Sequence, residues 1–491
     1  MKTFGRILLG LAVLIVALAA VVLVRTFTYR PPPGLDAPDT PVAEAVPVDV
    51  DRAARNLSAA IQIRTVRHQD RAEDQLAEWE RLHAFLQTTY PAAHAAMTRE
   101  VIEAETLLYT WQGSDPSLAP IILMAHQDTV PVTPGTEGDW KHPPFAGTIA
   151  EGAVWGRGAI DDKGSLIGLF EAIETLAARG FQPKRTVILL AGGDEEVLGS
   201  GAQAAARLLK SRGVMAEFVL DEGLVVLTDN PVTGGKLAVI GTAEKGYATL
   251  KVTAHAPGGH SSAPPPDSGG VAVLARAVTA IVEDQFPLAF RGPGADMLKA
   301  LAPSGGFALR MAVANEWLFR PLLVRQVAAT PPGAALLHTT IAPTMLKGSP
   351  KENVLPQDAT AWINYRIAPG DTPDSVMARA KAAVGDLPVA LAWNGAPAAP
   401  SPVSSTSSSG WKVLAATAAA VSGAPVAPGL VTAATDSRWL SPVARDVYRF
   451  QPVELALSDV QLIHGTNEHL SLTSLEKMVQ FYARLIATAA G

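Results

Sequence analysis

Three apolar runs of strand length, each ending in acidic or histidine side chains, constrain this chain more than any other feature. Ile121-Ile122-Leu123-Met124 leads into His126, Thr186 to Leu190 leads into Asp194-Glu195-Glu196, and Phe218-Val219-Leu220 leads into Asp221. Runs without polar alternation belong to strands covered on both faces, and helices between such strands produce a mostly parallel sheet. The spacing predicts those helices over Leu166 to Ala178 and Ala202 to Ser211. An earlier one is predicted over Glu73 to Thr89, where Leu76, Trp79, Leu82, Phe85 and Leu86 share a face and Pro91 stops it. Ligands of such sheets sit at the carboxyl ends of the strands. All three polar clusters fall at ends of that kind.

Past Lys245 the pattern changes. Tyr247 to His255 alternates in polarity, Thr360 to Arg366 does so more loosely, and a helix (Pro373 to Ala383) and a strand (Val389 to Trp393) follow. The fold class is therefore α/β: a mostly parallel catalytic sheet with helices on both faces, plus an inserted smaller α+β domain. The reading divides the chain into an N-terminal segment (1–30), a linker (31–50), the first part of the catalytic domain (51–244), the insertion (245–400) and the second part of the catalytic domain (401–491). Pro400 to Ser409 is the return linker. Thr473 with Glu476 predicts a capping box that opens a closing helix.

Composition removes several classes of function. Acidic residues number 46 against 40 basic ones, and no long basic run exists, so nothing here suits a nucleic-acid partner. The chain has 0 cysteines, so disulfides, thiolate metal sites and a lipoprotein anchor are excluded and a metal must be bound by His, Asp and Glu. Ile7 to Val24 is an unbroken apolar run behind Lys2 and Arg6, long enough at its lower limit to span a bilayer. The favoured reading is an uncleaved membrane anchor with the catalytic part exported, periplasmic or extracellular. Secretion after cleavage of a signal segment is the alternative, kept open by Ala17 to Ala20. Pro31 to Pro41 reads as an extended spacer.

The polar clusters carry the chemistry. In His126-Gln-Asp128 the two outer side chains share a strand face, so Asp128 is placed to accept the second ring N–H of His126. Gly156-Arg-Gly-Ala-Ile-Asp161-Asp162-Lys163-Gly164 opens a helix and fits neither a dinucleotide fingerprint nor a P-loop. Asp161 is either a helix cap or a carboxylate that bridges two ions. Three adjacent carboxylates at Asp194-Glu195-Glu196 are a solvated acidic loop or a metal ligand with a free general base beside it. Asp221-Glu222-Gly223 offers either acid as a ligand, with Asp221 preferred, and His464-Gly-Thr-Asn-Glu468 stands ahead of the final helix. Two histidines and three carboxylates suit a pair of divalent cations that leaves room for water and substrate.

The chain resembles the di-zinc aminoacylase and carboxypeptidase family. The resemblance is carried in order by Met124-Ala-His-Gln-Asp-Thr-Val-Pro-Val132, the segment 156–164, Asp194-Glu-Glu196, Val219-Leu-Asp-Glu-Gly223, Gly259-His-Ser-Ser262 and His464-Gly-Thr-Asn-Glu468. Pro350-Lys-Glu-Asn-Val-Leu-Pro356 and the long region before it are most similar to the carboxypeptidase S and N-fatty-acyl-amino-acid hydrolase/synthase branch. The resemblance implies two Zn2+ bridged by Asp161, one also held by His126 and Asp221, the other by Glu196 and His464. It makes Glu195 the general base and Asp128 the catalytic acid behind His126, often with a cis peptide after Asp161. The insertion becomes a lid that in many relatives also forms a homodimer. In the lid, His260 polarises the scissile carbonyl while Asn353 and Arg366 bind the substrate end. Thr435-Asp-Ser-Arg438 matches a family loop near the site, with Ala433-Ala434 where relatives often carry glycines.

The expected reaction is hydrolysis of an amide adjoining a free carboxylate, in a small peptide or an N-acyl amino acid. The rival is a membrane-tethered binding protein on the same fold without catalysis, which would show gaps among the ligands or the base. Of the remaining histidines, His68, His83 and His94 are expected on the surface of the N-terminal helices. His142, His255, His338 and His469 have no ligand role.

Overall fold

The computed structural model describes residues 2–36, 39–197, 199–266 and 269–491. Its main sheet has eight strands. In spatial order they are Thr98–Val101, Leu107–Trp111, Val187–Gly192, Ile121–His126, Ala216–Leu227, Ala444–Leu455, Leu237–Glu244 and Val426–Val431. The four central strands, from Val187–Gly192 to Ala444–Leu455, run parallel, and the antiparallel pairings lie towards the edges. Every residue of Ile121–His126 and of Val187–Gly192 is buried, as continuous apolar runs require.

Helices cover both faces. Lys163–Ala178, Leu472–Ala490 and Val50–Gln62 pack on one, with Leu166, Phe170, Ile173, Leu475 and Ile486 fully buried among them. Removing each such side chain from water contributes roughly 1.5–3 kcal/mol. Ser200–Ser211 and the 3₁₀ segment Asp436–Val443 cover the other face. Residues 246–393 build a second sheet of four strands, in the order Thr340–Lys347, Asp358–Ile367, Gly246–His255 and Val389–Trp393. Ala248, Leu250, Val252 and Ala254 face its core at the period of two that an alternating strand demands. Between the strands Gly246–His255 and Thr340–Lys347 lies a helical insertion: Gly269–Glu283, Gly292–Leu301, Gly306–Ala314, Glu316–Val327 and Pro331–Ala335.

Three expectations change. The helix expected from Glu73 begins at Leu76, because Asp70 caps a separate 3₁₀ turn, Arg71–Glu73, through its bond to the Ala72 N–H. The closing helix starts at Leu472, not at a box on Thr473. Ser471, in extended conformation, is the cap, and its hydroxyl accepts the Ser474 N–H at 3.1 Å. The linker, read as an extended spacer, is tied to the body of the protein. Trp411 donates to the Gly34 carbonyl, the Ala43 N–H donates to Thr488, and Arg484 donates to the Ala43 carbonyl; Ala37 and Pro38 of that linker lie outside the described residues. His68, His83 and His94 are half-buried, not surface residues. His83 Nε2 lies 2.8 Å from Gln127 Oε1 and His94 Nε2 lies 3.1 Å from the Tyr109 hydroxyl.

Candidate metal centre and active site

The clusters of His126 and Glu195 arrive at the carboxyl ends of their strands, whereas Asp221-Glu222-Gly223, expected after a strand end, lies inside Ala216–Leu227 where its pairing with Ala444–Leu455 shifts register. Ile121–His126 delivers His126, whose Nδ1 lies 3.0 Å from the Asp128 carbonyl oxygen and 3.4 Å from Asp128 Oδ1. Both therefore draw on the same ring N–H, which leaves Nε2 free for the site. The Asp128 carboxylate also accepts the N–H of Glu195 at 3.2 Å and of Glu196 at 3.1 Å. It ties the first two polar clusters together.

The three adjacent acids divide their work. Asp194 caps the helix Ser200–Ser211 through the N–H groups of Ser200 and Gly201. Gly199, at φ +64°, has room only for hydrogen, since a Cβ there would stand 1.7 Å from Asp436 Oδ1. Glu196 comes within ligand distance of Asp161. The peptide between Asp161 and Asp162 is cis. Asp162 points away from the centre, accepting the His126 N–H at 3.1 Å and Gln451 Nε2 at 2.6 Å.

Asp161 is the hub. His126 Nε2 lies 2.8 Å from its Oδ1 and His464 Nε2 lies 3.0 Å from its Oδ2. His464 Nε2 also lies 3.1 Å from Glu196 Oε1. One ligand atom each from His126, Asp161 and Glu196 fall within 4.8 Å of one another, close enough for a shared cation. Asp221 is buried beside them, with its two oxygens accepting the N–H groups of Glu222 and Ser437, each at 2.9 Å. Ser437 belongs to the loop with Ala433-Ala434. Glu244 holds that loop in place by accepting the N–H and hydroxyl of Thr435, both at 3.0 Å.

The protonation preferences follow from crowding. Burial, and next the carboxylates of Asp436, Glu222 and Glu196, drive the Glu195 carboxyl well above its ordinary range, against the pull of His126. Burial and neighbouring acids do the same to Glu222 and Asp436. Burial opposes charge on His126 as well, yet Asp128 and Asp161 push its pKa well above the usual value. His464 is pushed up to about 10 by its bonds to Asp161 and Glu196. So many acids around two imidazoles call for added positive charge, which divalent cations bring. The donor set of imidazole and carboxylate fits zinc.

Three residues outside the predicted set, Glu468, Arg157 and Arg67, organise the centre. Glu468, fully buried, accepts Arg157 Nη1 at 2.7 Å, the Gly158 N–H at 3.0 Å, the Ile160 N–H at 2.8 Å and the Asp161 N–H at 3.1 Å. Arg157 also donates to the His464 carbonyl at 3.0 Å, so one ion pair joins the loops of Asp161 and His464. Arg67, buried over the Trp79 ring, donates to the Gly193 carbonyl and pairs with Asp74 and Glu105. The presence of Glu468 in the His464 motif was its only signal in the sequence; Arg67 had none.

The three lid residues lie within the insertion. His260 is exposed, pairs across a short two-stranded ladder with Val354, and is bonded to the Ser262 hydroxyl. Next to that ladder, the Asn353 carbonyl accepts the Ser261 N–H, while its side-chain Oδ1 has no partner among the described residues. Arg366 lies over the Tyr247 ring at 4.9 Å. Burial lowers its pKa, against the pull of Tyr247, and the charge of Arg438 lowers it further.

Residues 122–488 match the peptidase family M20/M25/M40. The chain belongs to this family. It is 37% identical to the N-fatty-acyl-amino acid synthase/hydrolase PM20D1 of Xenopus tropicalis over 98% of this chain and 93% of that protein. It is 32% identical to the probable carboxypeptidase S-like 2 of Dictyostelium discoideum over 89% of this chain and 85% of that protein. Among solved structures, human carnosine dipeptidase 1 superposes with a TM-score of 0.63 at 14% identity, covering 90% of this chain and 96% of that one. The M20 fold and branch expected from the motifs are thus the observed ones, and this M20 protein is an amide-bond hydrolase.

Proposed function

We propose that this M20 hydrolase cuts an amide bond next to a free carboxylate, in a small peptide or an N-acyl amino acid, at a two-zinc centre. The observation that carries the reading is the splitting of Asp161 between His126 and His464, one oxygen to each, as a carboxylate bridging two ions requires. His126 and Asp221 would hold one zinc with Asp161, and Glu196 and His464 the other. When bound, the ions polarise the scissile carbonyl and make a water acidic enough to lose its proton near neutral pH. Glu195 takes that proton and returns it to the leaving amine nitrogen. Asp128 fixes His126 and the backbone of Glu195, so it positions both ligand and base. In the lid, His260 stabilises the developing oxyanion, from its own chain or from a second copy. Arg366 clamps the substrate carboxylate and Asn353 binds beside it.

A cavity of about 590 Å³ lined by Val66, Pro131, Val132, Phe145 and Arg64 supports room for an acyl group. Its lining also includes His68, Gln75 and Glu137, and Val66 pairs with Thr129, the residue after Asp128. The N-terminal helix is read as a membrane anchor with the catalytic part exported, and residues 245–400 as the lid through which a homodimer forms. The test is turnover by the zinc-loaded protein on dipeptides and N-acyl amino acids matched in their carboxyl residue. Chelation should abolish it and zinc should restore it; activity that survives complete zinc removal would refute the mechanism.

A further inference from the structure

The N-terminal helix, Lys2–Phe27, does not stand apart from the rest of the protein. Its last turns are clamped onto the corner between the lid helices Gly306–Ala314 and Glu316–Val327. Asn315, fully buried, donates to the Val22 carbonyl at 3.2 Å and to the Thr26 hydroxyl at 3.3 Å. Arg25 Nε donates to the Ala314 carbonyl at 3.1 Å, the Tyr29 hydroxyl donates to the Lys299 carbonyl at 3.0 Å, and the rings of Phe27 and Phe307 lie 5.9 Å apart. These bonds fix the insertion at a definite height along the helix.

That height is informative. At about 1.5 Å per residue, roughly 20 residues cross a hydrocarbon core of about 30 Å. Counted from Ile7, the crossing ends near Thr26, at the clamp. The insertion therefore meets the bilayer boundary where the helix leaves it. Its outer face is apolar there: Phe307, Trp317, Leu318 and Leu322 are 50%, 56%, 40% and 55% exposed, while Ala312, Val313 and Leu323 fill its own core. Its charged residues are Lys299, Arg310, Arg320 and Arg325 against Asp296 and Glu316. A tryptophan beside arginines on an apolar face is the chemistry of a membrane boundary.

We infer that the lid insertion, residues 292–335, is seated on the bilayer that the N-terminal helix spans, with Phe307, Trp317, Leu318 and Leu322 among the lipids. The lid, and with it the substrate-binding side of the enzyme, is then held at the membrane surface. The inference rests on the anchor reading of the N-terminal helix.

The absence of cysteine makes the test site-specific. Full-length variants Phe307→Cys, Trp317→Cys and Leu322→Cys, each verified by circular dichroism, are spin-labelled in phosphatidylcholine vesicles. Their access to oxygen and to a water-soluble nickel chelate is compared with that of Leu14→Cys within the helix and Lys210→Cys on the catalytic body. The insertion sites should favour oxygen, as Leu14→Cys does, and Lys210→Cys should favour nickel. If Leu14→Cys reads lipid but the insertion sites read water, the inference fails and the anchor survives. If Leu14→Cys also reads water, both fail.

Discussion

Replacing Glu468 by Gln tests whether the two ligand loops are held by a single buried ion pair. The side chain keeps its size, but one of two acceptor oxygens becomes an NH2 group. At present each oxygen accepts two donors: Arg157 and Gly158 on one, Ile160 and Asp161 on the other. Whichever side receives the NH2, two N–H groups face a donor, and the 3%-exposed Arg157 loses its counter-charge. Removing one partner of a buried pair costs about 3–5 kcal/mol. Arg157 retains its bond to the His464 carbonyl, so the lower end, about 3 kcal/mol, is expected here. Denaturant unfolding of the metal-free protein measures it. The same change loosens Asp161 against His464, and groups that orient metal ligands are worth about 10–100-fold in affinity; a competition titration with a zinc chelator reads that loss. If E468Q unfolds within about 1 kcal/mol of the parent and holds zinc as tightly, the ion pair does not organise the centre.

Glu195→Gln should leave zinc content intact while kcat falls by about 10²–10⁴-fold; full activity would remove Glu195 as the base. Asp221→Asn should lower bound zinc by metal analysis, with Glu222→Gln leaving it unchanged; the reverse result would move the ligand one residue along. In the metal-free protein the folded pKa of His464 is raised to about 10 above an ordinary 6.5. Its stabilising contribution is thus complete below pH 6.5 and lost as pH rises through about 10. His464→Gln should therefore narrow its deficit in thermal stability against the parent over that interval, by an amount kept small because the side chain is half exposed. Zinc binding must displace the His464 proton in the same interval. Titration calorimetry in buffers of different ionisation enthalpy should report proton release, and none would contradict the assignment.

The central strands and their catalytic ends were legible in the sequence for one physical reason. Ile121–His126 and Val187–Gly192 are covered on both faces and carry no polar side chain before the site is reached, so Ile121–Met124 and Val187–Leu190 announce His126 and Glu195 by the abruptness of the change. The lid strand Gly246–His255 was legible through its period of two, with Ala248, Leu250, Val252 and Ala254 inward. The residues that brace the centre carried no such mark. Arg67 lies 126 positions from the Gly193 carbonyl it holds, and Asp436 meets Gly199 only through the packing of a loop on a helix cap. The clamp of Asn315 on Val22 spans 293 positions and joins two apolar segments, either of which alone reads as core or as membrane.

The acids of the centre fall into two groups with opposite demands. Asp194, Asp162 and Glu468 spend their oxygens on backbone N–H groups or on neighbouring Arg and Gln side chains. Such a carboxylate is satisfied by the fold itself, and its neutral amide replacement should be felt first in stability. Glu195 and Glu196 instead stand among other acids, so burial and repulsion work against their ionisation until cations arrive, whereas Asp161, between two imidazoles, is held in its charged form. Amide replacements of Glu195 and Glu196 remove repulsion, and should be neutral or stabilising in the metal-free protein while turnover or zinc content falls; Asp161→Asn removes the partner of both imidazoles and should cost stability and zinc together. Asp128 and Asp221 belong to both groups, holding backbone N–H groups beside the ligand His126 and within the ligand set. At these two positions stability and metal binding should fall together.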